Sequence, residues 1–188
     1  MTVIYLVQHG DKERVPGDPG LTALGREQAV LTAWWFRRIE LTAVYSSPLR
    51  RARQTAQPIA AAAGLAVQVD DRLRERVNWE GGEPLDRFLA NWVRSTCDRD
   101  FVLGNGESSR SAGERLRGFV LGLAGGSGSV VAVSHGGVTA DVLRTLVGDE
   151  SLPPRVLDDG IPACAITTLQ DLDVIAIAST GHLLDPTS

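Results

Sequence analysis

Two of the three histidines in this 188-residue sequence end apolar runs and are each followed by glycine. His9-Gly10 follows Thr2 to Val7 (TVIYLV) and Gln8, and His135-Gly136-Gly137 follows Val130 to Val133 (VVAV) and Ser134. An imidazole can serve as nucleophile, general base or donor to an anion. Glycine lets a ligand come close to the backbone. In open α/β sheets ligands bind outside the carboxyl ends of the strands, and both histidines fall there. His135-Gly136-Gly137 also opens a helix, whose free N–H groups and dipole favour an anion. A lone histidine at a strand end is most simply a cap bonded to backbone; two equivalent ones argue for a site.

The block Ser46 to Ala56 (SSPLRRARQTA) adds positive charge. Arg50, Arg51 and Arg53 in the first turns of a helix are each unfavourable by about 0.3–1 kcal/mol, and a bound anion would reverse that sign. They cannot all face one way, so at least one is expected to point outward, toward acids such as Asp70 and Asp71.

Other chemistries fit less well. Val130 to Gly137 approaches a serine-hydrolase elbow, and Ser134, Asp158 or Asp159, and His182 even follow the triad order of α/β-hydrolases. Few strands precede Ser134, however, and the reading leaves His9 and the arginine block without a purpose. A metal hydrolase on His9, His135 and His182 lacks any HxH or HExxH spacing. No G-x-G-x-x-G or G-x-x-x-x-G-K-[ST] nucleotide motif is present.

The elements that would carry these residues alternate. The patterns predict a buried strand over Thr2 to Val7 and a helix from the Thr22 cap to about Ile39, with Leu24, Leu31, Trp35 and Ile39 as its apolar stripe. A strand at Ala43 to Ser46 follows, then a helix with Ser47-Pro48 as N-cap and N1 running to Ala63 before Gly64. Further strands are expected at Ala66–Val69, Val130–Val133, Ala163–Leu169 and Val174–Ala178, and helices at Glu83–Ser95, Ser111–Leu123 and Gly136–Val147. This order implies a single α/β domain over residues 1–188, three layers with helices on both faces of a mostly parallel sheet. Net charge −4 argues against a nucleic-acid binder. No apolar run nears the ~18–20 residues of a membrane span, and no leader is evident. Two cysteines, Cys97 and Cys164, are too few for a disulfide scaffold, which points to a reduced cytoplasmic compartment. Oligomeric state is not legible.

Six motifs in order resemble the histidine phosphatase superfamily, most closely its phosphoglycerate-mutase-like branch. They are Gln8-His9-Gly10; Leu21-Thr22 with Gly25 and Gln28-Ala29; Ser46-Ser47-Pro48-Leu49 with Arg51-Ala52 and Gln54-Thr55-Ala56; Leu73-Arg74-Glu75; Gly106-Glu107-Ser108; and Ser134-His135-Gly136-Gly137. A Gly181-His182-Leu183 near the C-terminus extends the likeness.

The resemblance implies a phosphatase of the histidine acid phosphatase type, acting on a small phosphorylated molecule and releasing inorganic phosphate without cofactor or metal. His9 would attack phosphorus to form a phosphohistidine. Arg51, Gln8, His135, Gly136 and His182 would hold the phosphoryl oxygens, with His135 also catalytic. Glu75 would protonate the leaving alkoxide and then activate water, unless it is merely a loop carboxylate paired with Arg74 or Arg76. Residues 78–110 would cover the pocket, with Trp79, Phe88, Trp92 and Phe101 at an apolar entrance or in the core.

Three departures from the family pattern matter. Gln8 replaces the arginine of Arg-His-Gly; losing that charge-assisted bond costs about 1.5–3 kcal/mol, roughly 10- to 100-fold in rate. Arg50, Arg53 or Lys12 are candidates to compensate, and a phosphate-ester binding protein without turnover is the alternative. Val15 stands where the family's mutases carry asparagine, and the loop from Glu75 to Trp79 is short. Together the departures favour a phosphatase over a mutase.

Overall fold

The computed structural model describes residues 1–184. Six strands, β1 (Thr2–Gln8), β2 (Leu41–Ser46), β3 (Val67–Val69), β4 (Gly128–Ser134), β5 (Ile166–Gln170) and β6 (Asp173–Ser179), form one sheet in the order β3-β2-β4-β1-β5-β6. The first four of that order run parallel; β5 pairs antiparallel with β1, and β6 antiparallel with β5. The helices are α1 (Ala23–Phe36), α2 (Arg50–Ala62), α3 (Leu85–Cys97), α4 (Ser109–Leu123), α5 (Gly136–Val147) and α6 (Pro154–Asp158). The three-layer, mostly parallel α/β architecture is the one the element order implies.

Alternation along the strands divides the core. Val7, Val44, Val131 and Val133 pack against Phe36 of α1 and Ala52, Ala56 and Ile59 of α2. Ile4, Leu6 and Ala132 point the other way, onto Leu116, Phe119 and Val120 of α4 and Val138 and Val142 of α5. Both faces of β1 and β4 are covered, as continuous apolar strands require.

Four local details differ from the sequence reading. The buried face of α1 is Gly25, Ala29, Thr32, Ala33 and Phe36, whereas Leu24 is 55% exposed. The reason is close packing: a Cβ at Gly25 would lie 2.0 Å from the Asp11 carbonyl oxygen, so α1 turns its small residues to the loop after β1. The second helix begins at Arg50 rather than at Pro48, and Ser47 does not cap it. β5 begins at Ile166 because Cys164 is in the left-handed region (φ 54°), where its N–H reaches the His9 carbonyl at 3.2 Å. Helix α6, opened by Pro153-Pro154, is five residues long and too short to show a periodicity.

The topology fixes where the chemistry lies. Gln8 pairs with Ser134 and Ser46 with Val133, so β1, β4 and β2 end side by side. Asp70 N–H bonds the Ser46 carbonyl at 3.0 Å, bringing the chain after β3 to the same edge.

Candidate active site

Each parallel strand delivers one part of the site. β1 ends in Gln8 and His9, β2 leads to Ser47 and then Arg51 in the first turn of α2, β3 leads through a short 3-10 turn to Glu75, and β4 ends at His135. Gln8, His9, Arg51, Glu75 and Gly136 line a cavity of about 840 Å³.

His9 is buried and its Nδ1 lies 2.7 Å from the Gly10 carbonyl oxygen. A carbonyl only accepts, so Nδ1 carries the hydrogen and Nε2 keeps its lone pair. Burial, reinforced by the charges of Arg51 and Lys12, pushes the His9 pKa down to about 3. The Gly10 N–H bonds Thr55 Oγ1 at 3.0 Å, which fixes the loop to α2. The amide nitrogen of Gln8 sits 3.5 Å from His9 Nε2.

His135, fully buried, stands with its ring centroid 5.2 Å from that of His9. Its Nε2 lies 2.7 Å from Ser47 Oγ, which already accepts the Leu49 N–H. Its Nδ1 has no protein partner. Burial, with Arg51 and His9 nearby, holds His135 well below the usual histidine range.

Arg51 is 3% exposed. Its Nη2 donates to Asn78 at 3.3 Å, while Nη1 is 3.8 Å from Asp18 and neither Nη1 nor Nε makes a hydrogen bond. Gln8 Oε1 is buried and unpartnered as well. Each such atom costs about 1–3 kcal/mol when left unpaired. Unsatisfied guanidinium donors on Arg51, with the unpartnered His135 Nδ1 beside one neutral imidazole, suit a tetrahedral oxyanion.

Two helix N-termini expected to hold an outside anion hold carboxylates of the chain itself. The Gly137 and Val138 N–H groups of α5 each donate at 3.0 Å to Glu75, which also accepts the Arg76 N–H at 2.9 Å. A Cβ at Gly137 would lie 2.6 Å from Glu75 Oε1, so glycine is needed for that approach. The Arg50 N–H of α2 donates to both Asp18 oxygens at 2.9 and 3.0 Å. Glu75 therefore pairs with neither Arg74 nor Arg76: Arg74 binds Asp71 and Glu107, and Arg76 binds Asp141. Asp70 pairs with Arg72 rather than with the arginines of α2, of which Arg50 and Arg53 are exposed.

Of the compensating cations, Lys12 lines the cavity and Arg50 and Arg53 do not; Arg14 joins Lys12 there. His182 is not brought to the site. It is buried against Thr32, Nε2 to Oγ1 3.1 Å, beside Trp35 and a separate small cavity. The serine-hydrolase triad is not assembled either: Ser134 is buried and donates to the Leu73 carbonyl at 2.8 Å, while His182 bonds Thr32. From the segment 78–110, Trp79, Phe88 and Trp92 line the cavity, and Phe101 instead lies under Arg94. Residues to which reasoning from sequence gave no role in the site are Ser47, Thr55, Asn78 and Cys164, which hold the others. Ser47 and Thr55 stand inside the arginine block, whose family-like motif was the available signal.

Among the described residues no cluster of three or more His, Cys, Asp or Glu is arranged to hold a metal, and no helix is long and apolar enough to cross a membrane. Cys97 and Cys164 are both free.

A sequence profile of the histidine phosphatase superfamily (branch 1) matches residues 4–170. A probable phosphoglycerate mutase GpmB of Escherichia fergusonii is 32% identical over 164 residues, spanning 79% of this chain and 76% of that protein. Its counterpart in Serratia proteamaculans is 36% identical, with the same 79% and 76% coverage. Among solved structures, mycobacterial glucosyl-3-phosphoglycerate phosphatase with inorganic phosphate superposes with TM-score 0.77 at 26% identity, covering 96% of this chain and 98% of that one. Phosphoserine phosphatase of Entamoeba histolytica with 3-phosphoglyceric acid gives 0.76 at 25% identity, covering 97% and 100%. With the profile running from β1 to the end of β5 and the histidine-bearing strand ends inside it, the chain belongs to branch 1 of the histidine phosphatase superfamily.

Proposed function

We propose that this protein hydrolyses a small-molecule phosphomonoester in two steps through a phosphohistidine on His9, without a metal. The observation that carries the reading is the His9 ring: Nδ1 held by Gly10, Nε2 unprotonated, the imidazole kept neutral by burial. Nε2 attacks phosphorus, the ester P–O bond breaks, and the leaving oxygen takes a proton from Glu75, which enters this step as the carboxylic acid and leaves it as the carboxylate. Water then attacks the phosphohistidine, Glu75 accepts its proton, and inorganic phosphate leaves with His9 restored.

Phosphoryl transfer asks mainly for positioning and for positive charge around the equatorial oxygens. Arg51 Nε and Nη1, His135 Nδ1 and the Gln8 amide are the groups at hand, Gly136 lies beside Gln8, and Lys12 adds charge from the cavity wall. Similar proteins are named as phosphatases of phosphorylated small molecules, one of them bound to inorganic phosphate, which supports hydrolysis. The mutase name of other relatives marks phosphoryl return to an alcohol as the competing fate. The two free cysteines suit a reduced cytoplasmic setting.

The test is to mix the protein with p-nitrophenyl phosphate in the presence of EDTA, quench in alkali and look for phosphohistidine by mass spectrometry. Phosphate on His9 with steady release of nitrophenol is the expected result. Saturable phosphate binding with neither would assign the binding role that Gln8 otherwise invites.

A further inference from the structure

The cavity that has His9 at its floor has a second wall unlike the first. Leu85, Phe88, Leu89, Trp92, Val93 and Thr96 of α3 all line it, a full stripe at helical spacing. Such a stripe ordinarily faces a core. Here Leu85, Leu89 and Val93 are 37%, 50% and 62% exposed, and Ser95 is the only buried residue of α3. The helix is tethered at its C-terminal end instead. Arg76 donates to Ser95 and Thr96 and lies 4.0 Å over the Trp92 ring, and Arg144 donates to the Thr96 carbonyl. Across the gap stand Val156, Leu157 and Ile161.

We infer that this apolar wall is the subsite for the alcohol part of the substrate, and that the substrate is a phosphomonoester of a bulky apolar alcohol, long-chain or arylmethyl. The inference rests on the hydrolytic reading of the floor. Three observations select this occupant. The stripe and His9 share one cavity, so a molecule with its phosphate on Arg51 extends along α3. The volume of about 840 Å³ is that of a site for a drug-sized ligand, and a three-carbon ester would occupy only the floor. The α3 end of the cavity also offers an acidic alcohol no free cation: Arg76 and Arg144 are neutralised by Asp141 and Asp149, and Asp158 and Asp159 line the cavity as well. Arg51 at the floor aside, the remaining cations, Lys12 and Arg14, belong to the loop after β1 that carries His9.

The experiment compares kcat/KM for n-propyl, n-hexyl and n-decyl phosphate, naphthylmethyl phosphate and glycerol 3-phosphate, all below micelle formation. Straight-chain alkanols are nearly equal leaving groups, so differences among them report binding. Selectivity is expected to rise by about two- to fourfold per methylene. Continued gain to decyl would indicate a lipid-like alcohol; a plateau at hexyl with preference for naphthylmethyl would indicate an aromatic one. Leu89→Ser and Val93→Ser, both at exposed positions, should flatten the series.

A flat series, a preference for glycerol 3-phosphate, or a Leu89-dependent dimer with no chain-length effect would overturn the inference. Binding of the matching alkylphosphonates by calorimetry separates the two proposals. Affinity that rises with chain length without turnover would remove the hydrolytic reading and keep the subsite. Equal turnover of all esters would do the reverse.

Discussion

At the floor of the cavity Gln8, His9 and Arg51, backed by the buried His135, are held by strand ends and by partners from distant elements; along its wall, α3 presents Leu85, Leu89 and Val93, all exposed. The floor carries the cost of burying polar atoms without partners, and only a rigid frame can hold them so. The wall carries exposed apolar surface and a few arginine tethers. A fault in the floor should therefore abolish chemistry, and a fault in the wall should change which ester is chosen.

The largest expected effect is His9→Ala, which should lower kcat on the order of 10⁵-fold, measured on p-nitrophenyl phosphate. A nearly fully active variant would remove the distinction between floor and wall. Next is Glu75→Gln, with a loss of about 10²–10⁴ for alkyl phosphates, whose leaving oxygen needs a proton, and little for aryl phosphates. Equal losses in both would mean that Glu75 serves only to anchor α5. Restoring charge with Gln8→Arg should raise kcat/KM by roughly 10- to 100-fold, and a protein silent until that change would be one switched off at Gln8.

Stability against pH sharpens the same comparison. The His9 pKa falls from 6.5 to about 3 on folding, so below pH 6.5 the unfolded chain binds a proton that the folded one excludes. Stability is unaffected by this group above pH 7 and falls as pH drops from 6.5 toward 3, by up to about 1.4 kcal/mol per pH unit. His135 acts in the same direction. Urea unfolding of His9→Asn should show a shallower decline between pH 6.5 and 4 than the parent protein, with parallel curves above pH 7. In the wall the change should be smallest. Leu89→Ser, at a half-exposed position, should alter stability at pH 7 by no more than about 0.5 kcal/mol, read from the urea midpoint.

The contrast also separates what was legible in the sequence from what was not. β1, β4 and α5 are local patterns: a run such as VVAV reads as a buried strand whatever surrounds it, and α5 runs from Gly136 to Val147 as its spacing predicts. The position of His9 and His135 at strand ends follows from those runs, whereas the adjacency of β1 and β4 is decided by the order of the sheet. Amphipathic stripes are less reliable guides. That of α1 was displaced because Gly25 must meet the Asp11 backbone, and that of α3 faces a cavity instead of the core.

By itself, then, the sequence determined the strands, the helices and the residue types at the strand ends, because apolar periodicity and glycine punctuation act over a few residues. The tertiary structure alone decided the state of each functional group. His135 is oriented by Ser47 across 88 positions, Glu75 occupies the α5 terminus 62 positions away, and His182 is drawn to Thr32 across 150. A hydrogen-bond partner is chosen by distance in space, and only the packed sheet brings such residues within about 3 Å of one another or keeps them apart.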